Sequence, residues 1–257
     1  MRRFTTGIIG SFRTNRALRQ WERLADYART TNLENLRALQ NSAKAIGHRV
    51  GIVKHITDAR LARPVIGSTA MDLPNGTDWA GRPDLWAGQL NPSGHAPAIN
   101  DTHLGQDVTL YHDCKMQMLS IRQIRNTKTR DLAPFGLCLD VYAFDGSFLS
   151  VVVKAPSELV DGLTKKHVLR LTIRIESERP IDVSTRLNLK HGPNTEQVSK
   201  EINRDQDASM AEFDLAYVPF NESRAEHIWF DIFFDSPSMN QITLRDLTVS
   251  RHIRSNI

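Results

Sequence analysis

Between Val108 and Arg251 the apolar residues recur at every second position, in eight or nine short runs separated by turn residues. That rhythm constrains the fold more than any other feature of the chain. A period of two puts one side of a segment in a core and the other side in water. In residues 168–175, Leu169, Leu171, Ile173 and Ile175 alternate with Arg170, Thr172 and Arg174. The runs break at Asp145-Gly146, Asp161-Gly162, Arg179-Pro180, His191-Gly192-Pro193-Asn194 and Ser236-Pro237. Gly, Pro, Asn and Asp supply the backbone conformations that tight turns need. Successive short strands without intervening helices predict a mainly β fold, an antiparallel jelly-roll β-sandwich with an N-terminal helical region. Residues 157–163 (SELVDGL) are expected to make a single helical turn within it.

The first sixty residues follow a different period. Leu18, Trp21, Leu24, Ala25 and Ala28 recur at three- and four-residue spacing, as do Leu33, Leu36, Leu39, Ala43 and Ile46. Two helices are expected, over 15–29 and 32–46. Asn15 is placed to cap the first, and Thr31 and Glu34 stand at capping-box spacing for the second. Gly47 and Gly51 weaken the pattern beyond.

Charge divides the chain at the same place. Residues 1–60 hold twelve Lys/Arg against four Asp/Glu, and residues 61–257 hold twenty-one against twenty-five. The net charge of +4 therefore belongs to the helical segment. Between the two lies a stretch rich in Pro and Gly that also carries Trp79 and Trp86 in TDWAGRPDLW. A solvated linker rarely holds two tryptophans. The expected organisation is a basic helical region at 1–60, an irregular connector packed on the body at 61–106, and a β-sandwich domain at 107–257.

Several chemistries lack their signatures. No run approaches the ~20 apolar residues of a membrane span. The opening apolar run is broken by Gly7 and Gly10 and stops at Arg13, so no secretory leader and a cytoplasmic location are expected. Two cysteines, Cys114 and Cys138, give no disulfide framework. No P-loop, dinucleotide fingerprint, G-x-S-x-G or H-E-x-x-H occurs, and the nine histidines are scattered, so neither a cofactor nor a metal is expected.

The densest polar stretch runs from Asn188 to Gln197, with Lys190, His191, Asn194, Glu196 and Gln197 at a strand-to-loop junction. These side chains suit a sugar, which needs paired donors and acceptors beside a flat apolar surface. His191 with Glu196 also makes an acid–base pair. Read the other way, Gly192-Pro193-Asn194 makes a hairpin turn and nothing more. Trp79 and Trp86, in the irregular segment, are the expected stacking partners. The aromatics of HIWFDIFFD, Trp229 among them, mostly read as core. Tyr111 and Asp113 share one strand face, with His112 on the other.

In the final run the apolar rhythm shifts across Arg245-Asp246, the signature of a bulge. This closing strand resembles that of galactose-binding-like jelly rolls and carbohydrate-binding modules. The segments LAPFGL (132–137), FDGSFLS (144–150), LNLKHGPNTEQ (187–197), EFDLAY (212–217) and MNQITLRDLTVSR (239–251) resemble an uncharacterised alphaproteobacterial family, a domain of unknown function. That resemblance implies one folding unit and a bacterial setting, and it supplies no activity.

Three functions are compatible with these residues. The leading one is a non-catalytic binding module for a carbohydrate or glycan. The second is an adaptor that docks its basic helices on a protein partner or an anionic surface. The third is a jelly-roll hydrolase or lyase using His191 and Glu196. If the surplus of eight positive charges in residues 1–60 serves an anionic surface, retention of the protein on heparin or anionic vesicles should fall as salt rises. Retention that ignores salt would dismiss the electrostatic version.

Overall fold

The structure is a computed structural model that describes residues 8–66, 71–128, 130–202 and 209–254. The first seven residues, read above for a leader, lie outside them. The chain forms two compact units, residues 1–54 and 55–257.

The first unit is helical. Helix α1 spans Ile8–Ala28, and helix α2 spans Leu33–Ile66, its last turns belonging to the second unit. Both exceed the predicted lengths. Asn15 lies inside α1, where its carbonyl accepts from Arg19 Nε, so it is no cap. The cap of α2 is Asn32, whose Oδ1 accepts the backbone N–H of Asn35 at 3.0 Å. Thr31, predicted to cap, stands one residue too early. Gly47 and Gly51 do not end α2, because an interior glycine costs only about 1 kcal/mol. The predicted boundary at residue 60 therefore falls within this helix. Among the described side chains Leu18, Leu33, Val50 and Val53 stay exposed.

The second unit is an antiparallel β-sandwich with thirteen strands among the described residues. In chain order they are β1 (Thr77–Gly81), β2 (Gly94–His95), β3 (Thr102–Leu104), β4 (Val108–His112), β5 (Met118–Arg125) and β6 (Phe135–Ala143). Then come β7 (Leu149–Lys154), β8 (His167–Ser177), β9 (Val183–His191), β10 (Asn194–Glu201), β11 (Ser209–Asp214), β12 (Ala225–Phe234) and β13 (Asn240–Ile253). One sheet has the order β11-β8-β13-β6-β5-β2, with β1 also paired to β13. The other has the order β10-β9-β12-β7-β4-β3. Residues 157–159 make the predicted helical turn.

Alternation decides the layering. On β12, Ile228, Phe230, Ile232 and Phe234 point into the core, as do Leu187 and Leu189 on β9 and Leu149, Val151 and Val153 on β7. Leu137, Leu139, Leu169, Leu171 and Ile173 meet them from the facing sheet. The stretch predicted as an irregular connector contributes β1, β2 and β3 to the two sheets, plus a short helix α3 (Asp84–Ala87). Its backbone needs those partners because Leu85, Trp86, Ala98 and Leu104 are buried with the core.

The predicted bulge is present. Strand β13 slips register against β8 between Leu244 and Asp246. Residues 240–244 pair with β6, whereas residues 249–252 pair with β1 along the same edge. The bulge thus lets one long strand serve two neighbours in turn. Side chains from outside the strand hold groups of the bulge. Trp86 Nε1 donates to the Leu244 carbonyl at 3.0 Å, and Asn126 Nδ2 donates to the Arg245 carbonyl at 2.7 Å. Arg82 binds the Asp246 carboxylate through Nε at 2.7 Å and Nη2 at 2.9 Å. Gly136 of β6 passes so close that a Cβ there would lie 2.9 Å from the Leu244 oxygen.

Both partners of the Arg82–Asp246 pair are over nine-tenths buried. Asp246→Ala would leave a buried guanidinium unpaired, and the expected cost is about 3–5 kcal/mol, read from urea unfolding. A loss below about 1 kcal/mol would put this pair with ordinary surface ion pairs.

Candidate functional site

The two outer faces of the sandwich differ. On the seven-stranded sheet the outward residues saturate one another. Asp140 accepts from Ser120 Oγ at 2.9 Å, Arg122 Nε at 3.1 Å and Gln241 Nε2 at 2.6 Å. Glu176 accepts from Lys128 Nζ at 2.6 Å and Arg245 Nε at 2.9 Å. Burial pushes both carboxyls up, but these hydrogen bonds and the nearby cations outweigh it and hold both below their ordinary values. Burial likewise pushes the neighbouring Cys138 thiol up, so it is no ready nucleophile.

The outer face of the six-stranded sheet carries a cavity of about 760 Å³. That lies within the range of small-molecule sites, ~300–1,000 Å³. Its floor crosses β4, β7, β12, β9 and β10, from Tyr111 to Gln197. Trp229 and Phe233 of β12 supply apolar surface, because they alternate with the inward Ile228, Phe230 and Ile232. Asp231, between them on the same face, is 4% exposed, and Asn188 of β9 is 1% exposed. The same strand rule that fills the core therefore sets polar groups into the floor of the cavity.

Those polar groups are tied to one another. Asp231 Oδ2 accepts from Arg186 Nε at 2.9 Å, Arg186 Nη2 at 2.7 Å and Asn188 Nδ2 at 3.0 Å. Asn188 Oδ1 accepts from Gln197 Nε2 at 2.9 Å, across the β9–β10 pair. The Arg186 guanidinium sits 5.0 Å over the Phe233 ring. At the β4 end, Asp101 beside the Tyr111 hydroxyl, with burial and Asp231, raises that phenol above its ordinary value. Among the described residues the Trp229 indole N–H has no protein acceptor.

The predicted site residues scatter on this frame. Residues 192–193 form a two-residue hairpin turn, with Gly192 at φ 59° and Pro193 after it, so the turn reading describes that segment. Asn194 is exposed at the start of β10. Lys190 makes a half-exposed ion pair with Glu226 at 3.1 Å. His191 and Glu196 do meet, Nε2 to Oε1 at 3.2 Å, but His191 is 7% exposed. Its Nδ1 accepts the Asn221 N–H at 3.3 Å and its ring meets Phe220 edge-on, so the imidazole is fixed on all sides. Of the five predicted residues in that stretch, Gln197 lines the cavity, as does Asn188 at its start.

The two tryptophans stand elsewhere. Trp86 is fully buried in α3, with its indole N–H spent on Leu244, which corrects its reading as a surface platform. Trp79 lies on β1, in the other sheet, partly buried against the core. The aromatic that does reach the cavity is Trp229, read as core in the sequence because it sits among phenylalanines. Strict alternation along residues 228–234 would have separated it from them, and the same count along 186–190 picks out Arg186 and Asn188.

These features define a β-sandwich with a cavity on one sheet face. Its family follows from the whole sequence. The chain belongs to DUF6478, a family of unknown function, whose model matches residues 1–257. No curated protein matches the chain. Several solved structures are similar in fold. The enzymatically active domain of tailspike protein 4 from bacteriophage CBA120 aligns with 9% identity and a TM-score of 0.40, covering 62% of this chain and 22% of that one. A family 11 carbohydrate-binding module from Clostridium thermocellum, in complex with a β-1,3-1,4-mixed-linked tetrasaccharide, aligns with 12% identity and a TM-score of 0.36, covering 59% and 92%. A CBM22-1 xylan-binding domain from Paenibacillus barcinonensis aligns with 10% identity and a TM-score of 0.35, covering 63% and 94%.

The contrast between the faces has a consequence for acid stability. Asp140 and Glu176 have folded pKa values below their unfolded ones. Their contribution is complete above the unfolded value of about 4 and is lost as pH falls through the lower, folded value. Asp140→Asn should therefore melt at a lower temperature than the wild type at neutral pH, with the gap closing in acid. A gap that persists unchanged in strong acid would refute the assignment.

Proposed function

We propose that this protein is a non-catalytic binding module for a glycan, and that its site is the outer face of the six-stranded sheet. The observation that carries this reading is the join of Trp229 to a polar floor, the buried Asn188 and Asp231 with the part-exposed Arg186, inside one cavity. A sugar ring has an apolar face and an edge of hydroxyls. It is matched by an aromatic surface beside fixed donors and acceptors. The floor is preorganised by its own hydrogen bonds, so little ordering is left for the ligand to drive. His191 and Glu196, the pair available for acid–base work, are closed on each other and lie outside the cavity.

A glycan array probed with the full chain supplies the ligand, and titration calorimetry the affinity. Trp229→Ala should lower that affinity at least about tenfold, since one well-buried aromatic contact is commonly worth over 1 kcal/mol. Its melting temperature should stay close to that of the wild type. Asn194→Ala and Glu196→Ala should bind as the wild type does. Full affinity in Trp229→Ala would move the site off this face.

A further inference from the structure

The floor of the cavity also indicates which kind of glycan fits, an inference that rests on the reading above. Asp231 is all but buried, yet only one of its oxygens is occupied. Oδ2 takes all three donors, and among the described residues Oδ1 has no hydrogen-bond partner. It is not sealed away either, since Asp231 is absent from the buried, partnerless side chains of the described residues, Thr185 and His252. Oδ1 therefore keeps some exposure, and Asp231 lines the cavity. Beside it, Arg186 spends Nε and Nη2 on Asp231 and keeps Nη1 unpartnered among the described residues. The floor thus presents one acceptor and one donor, drawn from a single ion pair whose charges cancel.

We infer that this pair reads two neighbouring hydroxyls of a neutral sugar unit, within an oligosaccharide laid across the sheet. A hydroxyl both donates and accepts, so adjacent hydroxyls satisfy Asp231 Oδ1 and Arg186 Nη1 together. A carboxylate or sulfate drawn to Arg186 would press against the Asp231 oxygen. An ammonium drawn to Asp231 would press against Arg186. Either juxtaposition of like charges is costly beside the buried Asp231 carboxylate, and this selects against charged sugars. Lys154 adds positive charge only at an exposed position, where salt screens it. The floor spans five strands, about 19 Å at ~4.8 Å per spacing. One sugar ring fills only part of that length.

The test uses the full chain and polysaccharides of three charge classes in affinity electrophoresis: neutral xylan, galactan and mixed-linked β-glucan, acidic polygalacturonate, and cationic chitosan. Retardation by a neutral polymer, insensitive to salt, is expected, with none by the charged two. Oligosaccharides cut from that polymer should bind more tightly than its monosaccharide. Asp231→Asn, with unchanged melting temperature, should weaken binding at least tenfold. Salt-sensitive retention by polygalacturonate or chitosan that Trp229→Ala abolishes would overturn the inference and leave the site standing. Neutral binding indifferent to Asp231→Asn would also overturn it. Retention by no polymer, or retention indifferent to Trp229→Ala, would remove the glycan site itself and this inference with it. The comparison of polymers on the wild type decides the charge class even if the Asp231 variant fails to fold.

Discussion

The buried pairing of Arg82 with Asp246 fixes the point on which the sandwich turns. Strand β13 must pair with β6 over its first third and with β1 over its last, and one extra residue at Arg245 makes the exchange. A bulge frees backbone groups, and in a buried sheet each unpaired group costs as much as a lost hydrogen bond. Here the freed carbonyls are met by Trp86 and Asn126, and the side chain that follows is met by Arg82. All three partners come from outside β13. The stretch holding Arg82 and Trp86 is therefore no linker but the piece that completes the seven-stranded sheet. Trp86 could not serve a ligand without releasing Leu244.

The two outer faces obey the same alternation and end with opposite capacities. On the seven-stranded sheet every buried acid is enclosed by donors, as at Asp140 with Ser120, Arg122 and Gln241. Such a network stiffens its strands and leaves little for a ligand to bind. On the six-stranded sheet the acid is enclosed on one oxygen only, and the aromatic beside it keeps its indole N–H. Burial of a half-satisfied carboxylate costs stability, because a charged group is being withheld from water without full compensation. That cost is sustained in the lining of a cavity, where the proposed ligand's hydroxyl would complete the set.

How much of this was legible in the sequence depends on which force governed each residue. The long strands were legible, because a buried face imposes period two on residues such as Leu169, Leu171 and Ile173. The bulge at Arg245-Asp246 was legible for the same reason, since an extra residue breaks that period. Strand β10 was not, because an exposed edge strand such as 194–201 has no core to report and reads as a polar loop. The helical lengths were under-read, because Gly47 and Gly51 weaken a helix by less than its neighbours support it. The cavity was overlooked for a different reason. Turn residues draw attention to loops, while this cavity stands on the middle of strands, where Trp229 and Asp231 hide among core aromatics.

A site on central strands inherits its geometry from the core. The register of β9 against β12 sets Asn188 opposite Trp229 and Arg186 opposite Asp231. A slip of one residue would turn Ile228, Phe230 and Leu187 out to water and bury the polar floor instead, so register here is guarded by several apolar side chains at once. Their burial is worth roughly 1.5–3 kcal/mol apiece, far more than any single contact in the floor. The Arg186–Asp231 pair therefore does not have to hold the strands together. It is held by them, in a fixed orientation and with one oxygen to spare. Loops on the same scaffold could change around it without moving this donor–acceptor pair.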